Sequence, residues 1–142
     1  MSENWLRIWI RYYNMHTSVA GIIKQDGKML LLDRVNPPFG WAPPCGQVED
    51  GEEMEEALKR EVLEESGLGV RKAKLIHHEF LAWNECKRGV RGHDFFIYEI
   101  LEWEGEVRQN YESKKIGWFS PEEMKELTLE PAWDYFLKKI NI

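Results

Sequence analysis

Cysteine is scarce in this chain. Only Cys45 and Cys86 occur among 142 residues, far apart and without the paired spacing of a structural metal site. A disulfide-stapled scaffold is excluded, and a reduced, cytoplasmic setting is expected. Long apolar runs are lacking as well. Arg7 and Arg11 interrupt the N-terminal stretch MSENWLRIWIRYYN, so neither a membrane span nor a secretory leader is expected. There is no basic surplus either: the formal net charge is −6 and no basic stripe stands out, which argues against nucleic-acid binding. No repeat, Gly/Ser linker or low-complexity tract divides the sequence. At this length it is expected to form a single domain over residues 1–142, with a core that needs no staple.

Aromatic residues are plentiful by contrast, with seven Trp. Most are expected in packing, while Trp41, Trp83 and Trp133 are also candidates for stacking on a planar ligand. The N-terminal group Trp5, Trp9, Tyr12 and Tyr13 either covers its own sheet or packs across a homodimer interface.

Strand and turn signals follow one another along the chain. A strand is expected over residues 5–13 and another over 18–25. Asp26-Gly27 is a two-residue hairpin signal, and KMLLLDR is its partner strand. VNPPFGWAPP is too rich in Pro and Gly for more than a short extended piece around Trp41. Residues 72–83 and 93–103 read as long partner strands joined by a turn over 86–92, and a shorter strand spans 115–119. Ser120-Pro121-Glu122-Glu123 starts a helix, and Trp133, Phe136, Leu137 and Ile140 form the apolar face of a last helix over 131–140. Strands interspersed with helices imply an α+β fold in α/β/α layers, a mixed sheet between helices.

Between these elements lies GQVEDGEEMEEALKREVLEESGL, residues 46–68. It holds nine acidic residues against Lys59 and Arg60, so the rest of the chain sums to about +1. A loop followed by a helix is expected here. The helix begins at Asp50 or Gly51, carries an apolar stripe of Met54, Ala57, Leu58 and Val62, and is capped by Gly67. Glu61, Glu64 and Glu65 stand at i, i+3 and i+4, on one helical face. Like charges at these spacings each cost roughly 0.2–0.5 kcal/mol, at the end of the helix where the macrodipole also disfavours them. A solvated acidic face is one reading of this pattern. A platform for a hard divalent cation, which takes carboxylate oxygens, is the other.

The spacing of the segment decides between them. Gly46, Glu52, Arg60, Glu61, Val62, Glu64, Glu65, Gly67 and Leu68 fill every defined position of the Nudix box. The chain therefore resembles the Nudix hydrolases, and within them the short nucleoside triphosphate pyrophosphohydrolases. The resemblance implies the Nudix fold, with a loop-helix-loop catalytic motif in a mixed sheet between helices. It also implies Mg²⁺- or Mn²⁺-dependent hydrolysis of a diphosphate linkage in a nucleotide-type substrate. By similarity Glu61, Glu64 and Glu65 are the metal ligands, with Glu61 or Glu64 as the base, and Glu52 pairs with Arg60 to hold the loop against the helix. Glu52 and Arg60 are eight residues apart, about 12 Å along a continuous helix, so such a pair requires Glu52 to lie in the loop and fold back.

Outside the box, Glu112 is a further metal ligand or base in some relatives, and Arg34 stands near where relatives place a phosphate-contacting Arg. Together with Trp41, Arg34 is a candidate for substrate binding. One departure is Pro44-Cys45-Gly46 where the family usually has Pro-Gly-Gly. The backbone carbonyl that the first Gly offers a metal survives at Cys45, but a left-handed backbone there would be strained for a residue with a side chain. The motifs of other substrate groups are missing: Trp83 replaces the Pro of ADP-ribose pyrophosphatases, and Asn84 the Tyr of dinucleoside polyphosphate hydrolases. A nucleoside triphosphate giving monophosphate and pyrophosphate is the substrate expected first. ADP-ribose, a nucleotide sugar or a dinucleoside polyphosphate comes second, and a non-catalytic nucleotide-binding module third.

Overall fold

The Asp26-Gly27 signal organises the first half of the chain. In the computed structural model, which describes residues 16–82, 92–108 and 113–141, both turn residues have positive φ, 52° and 75°. That is the geometry of a tight hairpin matching the twist of its strands. Strand β2 (Lys24–Gln25) leads into this turn and β3 (Lys28–Arg34) leaves it. The single strand expected over 18–25 is divided. Residues His16–Ile22 form β1, and the chain then changes sheets at the fully buried Ile23, whose carbonyl accepts the Leu30 N–H at 3.0 Å. Trp41–Ala42 is the expected short piece, β4.

The acidic segment departs from expectation at its start. Its first residues extend a strand, β5 (Cys45–Gln47), paired antiparallel to β1. The helix, α1 (Met54–Ser66), begins later than Asp50 or Gly51. Gly51 takes a φ of +83°, and the Glu52 N–H donates to the Glu49 carbonyl at 3.0 Å, so the intervening residues are spent on a turn. Gly67, in the left-handed conformation with its N–H on the Leu63 carbonyl, ends the helix as expected.

Strand β6 (Gly69–Leu81) starts directly after this cap rather than at residue 72, and pairs antiparallel with β7 (His93–Glu104). Strand β8 (Ser113–Phe119) pairs with β3 and is followed by α2 (Pro121–Met124), which Ser120 and Glu123 start with a complete capping box. The last helix, α3 (Pro131–Lys139), has Glu130 as its N-cap. The expected strand over 5–13, the aromatic N-terminal group, Trp83, Asn84, Cys86 and Glu112 lie outside the described residues.

The elements stack in layers. One sheet is mixed, in the order β5-β1-β7-β6 with β1 and β7 parallel; the other is antiparallel, with β3 between β4 and β8. Helix α1 covers one face of the mixed sheet through Ala57, Leu58 and Val62 against Val19, Tyr98 and Ile100. On the opposite face Ala20, Ile22, Phe95 and Ile97 meet Leu31 of the second sheet and Trp133 and Phe136 of α3. Each fully buried large apolar side chain contributes about 1.5–3 kcal/mol. Trp133 is one of these, 1% exposed and set edge-on to Phe95, so it serves packing, as the apolar face of the last helix led one to expect, and the alternative of a stacking face is ruled out.

Candidate active site

The site is built where α1 lies along the free edge of β5. Gly46 pairs with Val19 of β1, so its neighbours Cys45 and Gln47 turn their backbone groups outward, away from the sheet. Two side chains of α1 meet that edge. Glu65 Oε2 accepts the Cys45 N–H at 3.0 Å, and Arg60 Nη2 donates to the Gln47 carbonyl at 2.9 Å. An edge strand of three residues is thus closed by the helix that follows it.

Arg60 binds more than the strand. Its Nε and Nη2 donate to the two oxygens of Glu52 at 2.8 and 3.0 Å, a bidentate fork, and Nη1 reaches Glu61 at 2.7 Å and Glu64 at 3.4 Å. Glu52 has folded back from the loop, and it also accepts the Glu49 N–H at 3.0 Å. The hydrogen bond from Arg60 lowers the Glu52 carboxyl below its ordinary range, and the same pair raises the guanidinium above its own. Four residues, from β5, the loop and α1, are tied through one side chain.

The three carboxylates differ in exposure. Glu65 is buried, Glu61 is largely covered, and Glu64 points outward with its side chain 54% exposed. Glu61 rests on the bare Cα of Gly46: a Cβ there would come within 2.0 Å of the Glu61 carboxyl carbon. Only glycine leaves that space. Among the described residues no three His, Cys, Asp or Glu side chains converge on one metal-ligating point. The donor set nonetheless suits a hard divalent cation, being three carboxylates on one helix face beside the outward carbonyl of Cys45.

Cys45 adopts no left-handed backbone; among described residues other than glycine only Asp26 and Asn141 have positive φ. Its replacement of Gly therefore brings no strain. Desolvation, reinforced by Glu65, pushes its thiol up to about 12, so it is held as the neutral SH. Arg34 stands 4.0 Å from Cys45 Sγ and donates to the Pro38 carbonyl at 3.0 Å. Trp41 is half-buried, edge-on to Phe119 at 4.9 Å, with its backbone bonded to Thr128 and Glu130. Glu130, which the sequence reading passed over, caps α3 by accepting the Ala132 N–H; burial raises its carboxyl, with Arg34 opposing. Its only signal was an acid before Pro131 at a helix start. The contact from Arg60 to Gln47 had none, because a carbonyl belongs to every residue.

The NUDIX domain profile matches residues 14–140. The chain is a Nudix hydrolase. The ADP-ribose pyrophosphatase of Methanocaldococcus jannaschii is 34% identical over 122 residues, covering 84% of this chain and 70% of that protein. The nucleoside triphosphatase NudI of Escherichia coli is 31% identical over 131 residues, covering 82% and 89%. Among solved structures, the mutator MutT protein of Bacillus halodurans superposes with a TM-score of 0.70 at 28% identity, over 87% of this chain and 80% of that one. Like its family, this Nudix hydrolase hydrolyses nucleoside diphosphates linked to a further group, and the family generally needs a divalent metal ion. No helix among the described residues of this Nudix hydrolase is long and apolar enough to cross a membrane.

Proposed function

We propose that this enzyme is a nucleoside triphosphate pyrophosphohydrolase that releases monophosphate and pyrophosphate, with Mg²⁺ or Mn²⁺ as its cation. The observation that carries the metal-dependent part is the triad on α1: Glu61 over the bare Gly46, Glu65 on the Cys45 N–H and Glu64 open to solvent. Glu61, Glu64 and Glu65, with the Cys45 carbonyl, would hold the cation; Glu112 is a further candidate. Such an ion supplies charge neutralisation at the phosphate oxygens and acidifies water. Carboxylates alone have the wrong sign to grasp a phosphate, so the protein's part is to hold donors in register and accept a proton. Arg60 does the first by fixing Glu52, Glu61 and the β5 edge together. Glu61 or Glu64 does the second. Arg34, a guanidinium fork beside Cys45, would contact phosphate, and Trp41 the nucleoside.

The choice of a triphosphate rests on length and on a residue. The match to NudI spans most of that nucleoside triphosphatase, and Trp83 stands where the ADP-ribose pattern requires Pro. The identity to the ADP-ribose pyrophosphatase favours that substrate as the second reading. Release of phosphate and pyrophosphate from a panel of triphosphates, ADP-ribose, nucleotide sugars and dinucleoside polyphosphates separates them. Pyrophosphate from a triphosphate, abolished by chelator and restored by Mg²⁺ or Mn²⁺, is the expected result. Monophosphate products from ADP-ribose with no pyrophosphate from any triphosphate would replace the first reading by the second.

A further inference from the structure

The carboxylates use the edge of β5 and the backbone of Gln47, but the side chain of Gln47 points elsewhere. Side chains alternate along a strand, so Gly46 faces α1 while Cys45 and Gln47 face the opposite side of the mixed sheet. On that side Ser18 is paired with Gln47, His93 stands beside His16 across β1 and β7, and Phe95 beside Ser18. Gln47 Nε2 lies 2.7 Å from His16 Nδ1. The His16 and His93 rings meet edge-on with centroids 6.0 Å apart, and His93 leans on Phe95 at 5.6 Å. Ser18 and His93 are buried; Gln47 and His16 are half-exposed.

None of these side chains belongs to the set proposed for the metal and phosphate, and none is a Lys or Arg that would seek phosphate. We propose that Gln47, backed by His16 and His93, reads the nucleobase of the substrate. A side-chain amide matches the donor and acceptor pattern of a base edge, and the half-exposed imidazole of His16, held from behind by the buried His93, gives the base an aromatic surface. With Nε2 committed to His16, the amide turns Oε1 away from it, as an acceptor for an amino or imino group of the base. Its orientation is set before the ligand arrives. Its distance from the carboxylates is set as well, because Arg60 holds the Gln47 carbonyl with the same guanidinium that holds Glu61. The base-reading atom and the cleavage machinery are thereby linked through one residue.

This inference rests on the nucleotide reading above, so its test is separated from turnover. Dissociation constants for the four ribonucleoside monophosphates and for ribose 5-phosphate are measured with wild type, Gln47→Leu and Gln47→Glu. The KM and kcat for the four triphosphates are measured alongside, and circular dichroism checks each fold. In Gln47→Leu the preferred base is expected to lose about tenfold in affinity, the worth of one hydrogen bond, so that the four bases bind more nearly alike. Gln47→Glu, which keeps the acceptor but loses the donor to His16, should reorder the bases. Ribose 5-phosphate binding should stay constant, and the change should fall in KM more than in kcat. A wild-type protein with no preference among the monophosphates, or the same preference in all three proteins, overturns the inference. Triphosphates left intact while the monophosphate preferences shift as described would sink the substrate reading and leave the role of Gln47 standing.

Discussion

Around Arg60 three carboxylates share one guanidinium, whereas around Glu79 one carboxylate draws three donors. Glu79 of β6 accepts from Tyr135 and Lys139 of α3, the latter at 2.9 Å, and from His77 at 2.8 Å. Against the desolvation that alone would raise it, these bonds hold its carboxyl at about 2. Both clusters are built on glutamate, and they differ in charge balance. A cluster with as many donors as its carboxylate can use ties a helix to a sheet and has no need of anything from solution. A cluster in which acids outnumber the base, placed at the costly end of a helix, keeps a repulsion that a further cation would relieve. The excess of negative charge is what separates a site from a clasp.

Four substitutions test that contrast. Glu64→Gln should show the largest effect: turnover falls by two or more orders of magnitude while the melting temperature holds or rises, because an open repulsive charge is removed. Turnover at the wild-type rate in steady-state assays would end the metal-platform reading. Gly46→Ala comes next. Its Cβ displaces the flexible end of Glu61, so about a tenfold to hundredfold loss of kcat is expected with only about 1 kcal/mol of stability. An equal loss in both would make Gly46 a packing residue instead.

Arg60→Ala should cost about 2–3 kcal/mol by urea denaturation, since Glu52, Glu61 and the Gln47 carbonyl all lose their donor. Saturating Mg²⁺ should recover part of that loss, and none would be recovered if the acids do not share a cation. Smallest is Glu79→Gln, about 1–2 kcal/mol at neutral pH after allowance for solvent, with turnover within about twofold. The sign follows from a folded carboxyl at about 2 against an ordinary 4.5. Its contribution is present above pH 4.5 and is lost as pH falls towards 2. Urea midpoints for variant and wild type should therefore converge across that interval; a constant gap would show that Glu79 acts through packing alone.

The two clusters were unequally legible. Glu52, Arg60 and the three acids of α1 lie within one short window whose spacing announces a loop folded onto a helix, and the pair of Glu52 with Arg60 is found in that form. Glu79 and Tyr135 are 56 residues apart, and nothing in the local pattern of either predicts the other. The same holds for β5. Three residues containing a glycine have little strand propensity, and Cys45–Gln47 is extended because β1 supplies a partner and α1 closes the outer edge. The helix start was misplaced for a related reason: Glu52 is a good helix former, but its carboxylate is better used on Arg60 and the Glu49 N–H.

By itself, then, the sequence determined what depends on neighbours along the chain. The Asp26-Gly27 hairpin, the Gly67 cap, the Ser120 capping box and the facing acids of α1 each follow from backbone preference or helical period within a few residues. Only the tertiary structure decided what depends on neighbours in space: that Trp133 is core, that Gly46 makes room for Glu61, and that Gln47 lies against His16. Such contacts are set by strand register and layer packing, which bring together residues whose separation in sequence carries no local signal.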